Sequence, residues 1–237
     1  MSQEVVETYL NDGALMMFAG SVDQAFKHDA LNSCLYAQLS ASKQFNKFTN
    51  YREWQTTLIK ALTTFGWLRL DLADSQSVES EGFVVSNRLR ELLPKSISHL
   101  SGATLDRLLT WLFTPEASKV AKVMIKRLEP VVSHENATST EMPAPLAPVY
   151  SVVLQVAFLM PSRQQTLLCI AFETQQDISS DLFDQHLNIG KLVSDVRSFA
   201  FIGTLDDMRY SQYRERIDTA LADRRDLLSF PIKGLSS

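Results

Sequence analysis

Two stretches late in the chain constrain the fold more than anything else in the sequence. Residues 149–160 (VYSVVLQVAFLM) and 166–174 (TLLCIAFET) are apolar at nearly every position and are separated by Pro161-Ser-Arg-Gln-Gln. Apolar segments of that length, rich in β-branched side chains and bounded by turn residues, read as the two arms of an antiparallel hairpin. Only Ser151 and Gln155 interrupt the first arm. No polar face is left to meet water, so both faces of the hairpin need cover. A hairpin of this kind cannot stand alone, and the rest of the chain has to supply what it packs against.

The first half supplies helices. Ser21 with Gln24 resembles a capping box, and Val22, Phe26, Leu31, Cys34, Leu35 and Leu39 recur near the helical period as far as Gln44. Asn50 with Glu53 repeats that start signal, and Trp54, Leu58, Ala61, Leu62 and Phe65 form a stripe that stops at Gly66. Directly after it Leu68, Leu70 and Leu72 alternate with Arg69 and Asp71, which predicts a half-buried strand, followed by an exposed acidic loop over residues 73–82. Ser86 opens a short helix with Leu89, Leu92 and Leu93 ahead of Pro94. Leu105, Leu108, Leu109, Leu112 and Phe113 mark another, and Thr114-Pro115-Glu116 starts one that runs to Leu128.

Residues 131–148 hold Pro143, Pro145 and Pro148 among polar residues and read as a linker or extended crossover. Beyond the hairpin, residues 177–194 fit neither period and predict irregular chain with one short strand. Residues 196–204 alternate again, and Asp206 or Asp207 caps a last helix bearing Tyr210, Tyr213, Ile217 and Leu221. The fold expected is therefore α+β: an N-terminal helical layer packed on a small, mainly antiparallel sheet, with a C-terminal helix. Because the hairpin needs the helices, residues 1–237 are expected to form a single domain, helix-rich over 1–130 and β-rich with a terminal helix over 149–237. A chain of 237 residues that is 45% hydrophobic can bury a core of that size unaided.

Charge excludes some partners. Through Pro130 there are 14 basic and 14 acidic residues, and from Val131 onward 9 and 13, so neither half carries the basic excess a phosphate-backbone binder needs. Nucleic acid is not an expected partner. No segment offers the apolar length of a membrane-spanning helix. Glu4 and Glu7 stand where a secretory signal carries Lys or Arg, and the apolar run 14–19 is short, so the expected location is cytoplasmic, with signal-independent export the other option.

Chemistry is sparsely signalled. Cys34 and Cys169 match no metal-ligand spacing and both sit on apolar stripes, which raises a thiol's pKa and hides it from a histidine partner. No G-x-S-x-G elbow and no phosphate-binding glycine loop occurs, and no cofactor is implied. The tightest polar cluster is Asp181, Asp184 and His186: the two aspartates share a helical face, or Asp184 and His186 a strand face, as metal or acid–base chemistry would need. The ordinary reading is a solvated turn. Lys119, Lys122, Lys126 and Arg127 make a basic helical stripe that could meet an acidic partner or a lipid surface, but four cations without interleaved aromatics are ordinarily a solvated outer face. Trp54, Trp67 and Trp111 read as core anchors, and the Arg-rich last helix as a salt-bridged or subunit-contact surface. The functional expectation is a non-enzymatic protein that binds a protein partner or itself. The alternative is a small-molecule-binding protein or hydrolase built around Asp181, Asp184 and His186.

Overall fold

The computed structural model describes residues 7–77, 82–93, 110, 114, 124–128, 147–178 and 182–232. In chain order the elements are β1 (Glu7–Asn11), β2 (Ala14–Phe18), α1 (Gln24–Ser42), α2 (Tyr51–Thr64), β3 (Trp67–Ser77), β4 (Phe83–Val84), α3 (Val85–Leu92), β5 (Ile125–Leu128), β6 (Val149–Leu159), β7 (Gln164–Thr174), β8 (His186–Leu187), β9 (Val196–Leu205), α4 (Asp207–Leu221), α5 (Arg225–Leu228) and β10 (Ser229–Pro231).

The apolar hairpin is the centre. β6 and β7 pair antiparallel from Tyr150 opposite Thr174 to Leu159 opposite Gln165. β9 continues the sheet on β7, and β3 closes that end. On the other side β2 joins β6 in parallel, Ala14 opposite Gln155 and Phe18 opposite Leu159, followed by β1 and β10. β5 pairs with the first half of the same β6 edge, Leu128 opposite Val149 and Ile125 opposite Val152. The result is an eight-stranded mixed sheet in a mixed α/β fold, antiparallel except where β2 meets β6, which corrects the expected small sheet. The missing strands have local causes. β2 is buried at all five positions, so it shows no alternation, and β1 leads into it through Asp12 (φ 48°) and Gly13 (φ 84°), a two-residue turn with both central residues left-handed. β10 is only three residues long.

Both faces of the hairpin are covered, by opposite pleat positions. Leu154, Val156, Phe158, Leu168, Ile170 and Phe172 pack with Phe83, Val85, Leu89, Phe183 and Leu187. On the other face Ala157, Leu159, Leu167, Cys169, Phe199 and Phe201 meet Phe26 and Leu35 of α1, Trp54, Leu58 and Leu62 of α2, and Tyr210 and Ile217 of α4. Burying Trp54, Leu58 and Leu62 is worth roughly 1.5–3 kcal/mol each, several times the spread of helix propensity among ordinary residues. Packing therefore sets α2 more than its intrinsic preference does.

Other boundaries move. The cap of α1 is Asp23, which accepts from the Phe26 amide at 2.7 Å, two residues later than Ser21. Asp206 caps α4, accepting from the Arg209 amide at 3.1 Å. β3 runs on through Ser77, so the stretch read as the start of an acidic loop is strand. A bulge between Arg69 and Asp71 leaves Leu70 outside the ladder and 59% exposed, breaking the expected leucine alternation. Residues 125–128 are strand, not the end of a helix, so Lys126 and Arg127 belong to β5, whereas Lys119, Lys122 and Trp111 lie outside the described residues. Among the described residues no helix is long and apolar enough to cross a membrane.

α4 is fastened by charge. Asp29, 2% exposed on α1, accepts from Arg214 Nε at 2.9 Å and Nη2 at 2.8 Å, with Arg163 Nη2 at 3.8 Å. Asp207 bridges the same two guanidiniums at 3.1 and 2.9 Å. The bidentate geometry is the strong form of this interaction, and the hydrogen bonds to Asp29 push the Arg214 pKa up.

Candidate functional site

Of the cluster singled out in the sequence, two of the three side chains can be placed. Asp181 lies outside the described residues. Asp184 is exposed and its Oδ1 accepts from Ser86 Oγ at 3.2 Å. His186 is exposed in β8, paired with Val84 of β4. No hydrogen bond joins Asp184 to His186. Among the described residues no three His, Cys, Asp or Glu side chains converge as a metal site.

Neither cysteine is poised as a nucleophile. Both are free and buried. Burial pushes the Cys34 thiol up to about 12, although its S–H donates to Gln165 Oε1 at 3.2 Å. Burial also raises Cys169 well above the ordinary thiol value. Thiolate chemistry needs the opposite shift.

Among the described residues, one concave feature that gathers charged side chains is a groove of about 350 Å³ at the start of α2. One wall is the segment from Phe48 to Glu53; the floor is Ser151–Val153 of β6 and Ala171–Glu173 of β7, and Ser194, Asp195 and Arg197 close the far side. Ser151 Oγ donates to the Phe48 carbonyl at 2.9 Å and ties the wall to the floor. Asn50, at the N-cap position, makes no side-chain cap bond; its Oδ1 accepts from Thr49 Oγ1 at 3.1 Å instead. The first-turn amides of α2 therefore keep their hydrogen-bonding capacity.

Titratable groups around this groove are shifted by burial. The Tyr51 hydroxyl lies against the Cys169 thiol without a well-formed hydrogen bond, and burial raises its pKa well above the usual phenol value. Glu173 is raised by burial as well. Lys47, just ahead of the groove wall, is lowered by burial despite the nearby Asp12; its Nζ donates to the Asp12 carbonyl at 3.4 Å. Arg197 is half-buried. Arg52 and Arg197 face Glu53, Glu173 and Asp195, the last of which accepts from Gln76 Nε2. Such a mixture can hold a small polar molecule of either sign. Among the described residues lining it, no nucleophile–base hydrogen bond of the kind used in covalent catalysis is formed. Sequence reasoning missed Tyr51, Glu173 and Arg197 because four separate segments bring them together, and no local pattern signals that.

A second surface is the outer edge of β3. Its inner edge pairs with β9 over the whole strand, from Trp67 opposite Leu205 to Ser77 opposite Val196. Among the described residues no strand pairs with the outer edge. The Asp71 carboxylate accepts from the Leu72 amide at 2.8 Å, which satisfies one group beside the bulge.

No protein-family model matches the chain, and no curated protein matches it. Among solved structures it is similar to a delta-endotoxin, with 14% identity, a TM-score of 0.40 and coverage of 82% of each chain. It is also similar to the activated Cyt2Ba monomer from Bacillus thuringiensis subsp. israelensis, with 14% identity, a TM-score of 0.41, and coverage of 81% of this chain and 97% of that one. Neither likeness is close enough to transfer a fold or an activity.

Proposed function

We propose that this chain is a non-enzymatic interaction protein that associates with a second copy of itself by strand pairing along the outer edge of β3. The observation that carries this reading is the length of that edge: eleven residues, Trp67–Ser77, without a proline and without a second partner strand among the described residues. A row of unpaired backbone groups of that length is a template for another strand. Two-fold association places a surface against itself, and β3 suits that arrangement. In an antiparallel pairing centred on Leu72, Arg69 of one copy stands opposite Ser75 of the other and beside its Asp74. Exposed Leu70 adds apolar area at the same edge. Two unpaired cysteines fit a reducing, cytoplasmic setting.

Sedimentation equilibrium over a concentration series tests the proposal. The wild-type chain is expected to dimerise, and Leu70→Lys with Asp74→Lys to remain monomeric with an unchanged circular dichroism spectrum. A wild-type protein that stays monomeric at the highest concentration, or a double variant that dimerises equally well, rules the reading out.

A second reading, a small-molecule-binding protein, is favoured by the groove at the start of α2, whose volume falls in the range of ligand pockets, about 300–1,000 Å³. A metabolite that raises the melting temperature of the wild type but not of Arg197→Ala supports it by mass action.

A further inference from the structure

Between the sheet and the helices that cover it, the apolar packing gives way to amides. Gln155 of β6 is 0% exposed, and neither its Oε1 nor its Nε2 has a protein partner. Gln165 of β7 is equally buried; its Oε1 accepts from the Cys34 thiol at 3.2 Å, and its Nε2 has no partner. Gln38 of α1 donates through Nε2 to the Asn11 carbonyl at 2.9 Å, and its Oε1 has no partner. All three line one small cavity.

The hole has a local cause. Ala157 lies opposite Met16 on one side and Leu167 on the other. All three line the cavity, under a roof of Cys34 and Gln38 from α1 and Leu58 and Leu62 from α2. A small side chain at that point of the floor leaves space that the flanking glutamines enter from above and below along the strands. The room open to the centre of a water molecule is about 10 Å³, close to the roughly 10–15 Å³ that one water requires. It is too small for any organic ligand.

We infer that this cavity is a binding site for a single ordered water, anchored on Gln155 and shared with Gln165 Nε2 and Gln38 Oε1. Folded proteins rarely leave a buried amide unpartnered, and three such side chains meet at one point. Water offers two donors and two acceptors, enough to take one N–H from each of Gln155 and Gln165 and to donate to the free oxygens of Gln155 and Gln38. It joins the helical layer to the β6–β7 floor by hydrogen bonds where apolar contact is interrupted.

The test uses the native, isotope-labelled chain. Water–protein NOE spectroscopy is expected to give cross-peaks from a long-lived water to the side-chain amide protons of Gln155 and Gln165. In Gln155→Met, which fills the space with a side chain of similar size, the cross-peak at Gln165 is expected to vanish. No cross-peak at either amide in the wild type overturns the inference, and a shift of the Met16 and Ala157 methyl signals under xenon pressure then shows a dry cavity. Persistence of the Gln165 cross-peak in Gln155→Met overturns Gln155 as the anchor. If that variant does not fold, the wild-type spectrum alone decides.

Discussion

The two ends of the sheet are built to opposite specifications. At one end β10 is three residues long, ends on Pro231, and lies against β1 with Tyr9 opposite that proline. A short strand with a proline is a poor template, and the Ile232 amide still donates to the Thr8 carbonyl at 2.8 Å. At the other end, among the described residues, β3 offers its full length with a bulge and the Asp71 carboxylate to blunt it. Among the described residues the two ends therefore differ in what they present: a short strand closed by proline and a long one without a second partner.

That contrast can be broken in several places. The largest effect is expected at Trp67, which is fully buried at the start of β3 and donates through Nε1 to Ser33 Oγ at 3.0 Å. Trp67→Ala should cost about 3–5 kcal/mol in denaturant unfolding and loosen the open edge. Next comes the Asp29 clamp, because α4 leads through α5 into β10. Asp29→Ala leaves the two guanidiniums with only the exposed Asp207 between them, and since both are partly exposed the expected cost is about 2–3 kcal/mol, below that of a wholly buried pair. Hydrogen exchange should then rise first at β1, where the cap is delivered.

Ending the chain at Leu228 removes β10 and should cost about 1–2 kcal/mol in lost backbone hydrogen bonds. It should also create a second associating edge at β1, visible as species larger than a dimer in sedimentation. Leu70→Lys with Asp74→Lys is expected to leave stability within about 0.5 kcal/mol while abolishing the dimer.

The smallest effect is a titration. Burial raises the folded-state pKa of Glu173, beside the groove, and of Asp12, at the β1–β2 turn. A carboxyl that holds its proton longer when folded makes stability fall as pH rises from its ordinary value, 4.5 for Glu173 and 3.8 for Asp12, through the higher folded value. Glu173→Gln and Asp12→Asn should each flatten part of that slope in urea titrations at stepped pH.

What the sequence makes legible is whatever repeats at a fixed period or sits beside a cap. α1, α2 and α4 follow from apolar spacing, the β6–β7 hairpin from two apolar runs around Pro161, and β9 from alternation. The strand β2 escapes because burial on both faces erases alternation, and its parallel partner is remote in sequence. Asp12-Gly13, a strong turn dipeptide between Leu10 and Leu15, is the local signal that could have revealed β1 and β2. The extension of β3 escapes because ADSQS has the composition of a loop, and only pairing with β9 makes it a strand. The groove and the glutamine cavity escape for a different reason. Each is a meeting of side chains from separate elements, so no window along the chain contains the evidence.

The parallel docking of β2 on β6 also has a consequence in time. β2, made early, can reach its place only after Gln155–Leu159 has been synthesised, since those residues carry its ladder. Contacts so distant in sequence form late. During translation the β1–β2 hairpin must wait, with Leu15, Met16, Met17 and Phe18 uncovered, for a seat not yet made. Ribosome-bound chains cut short before β6 are therefore the ones expected to engage chaperones most strongly.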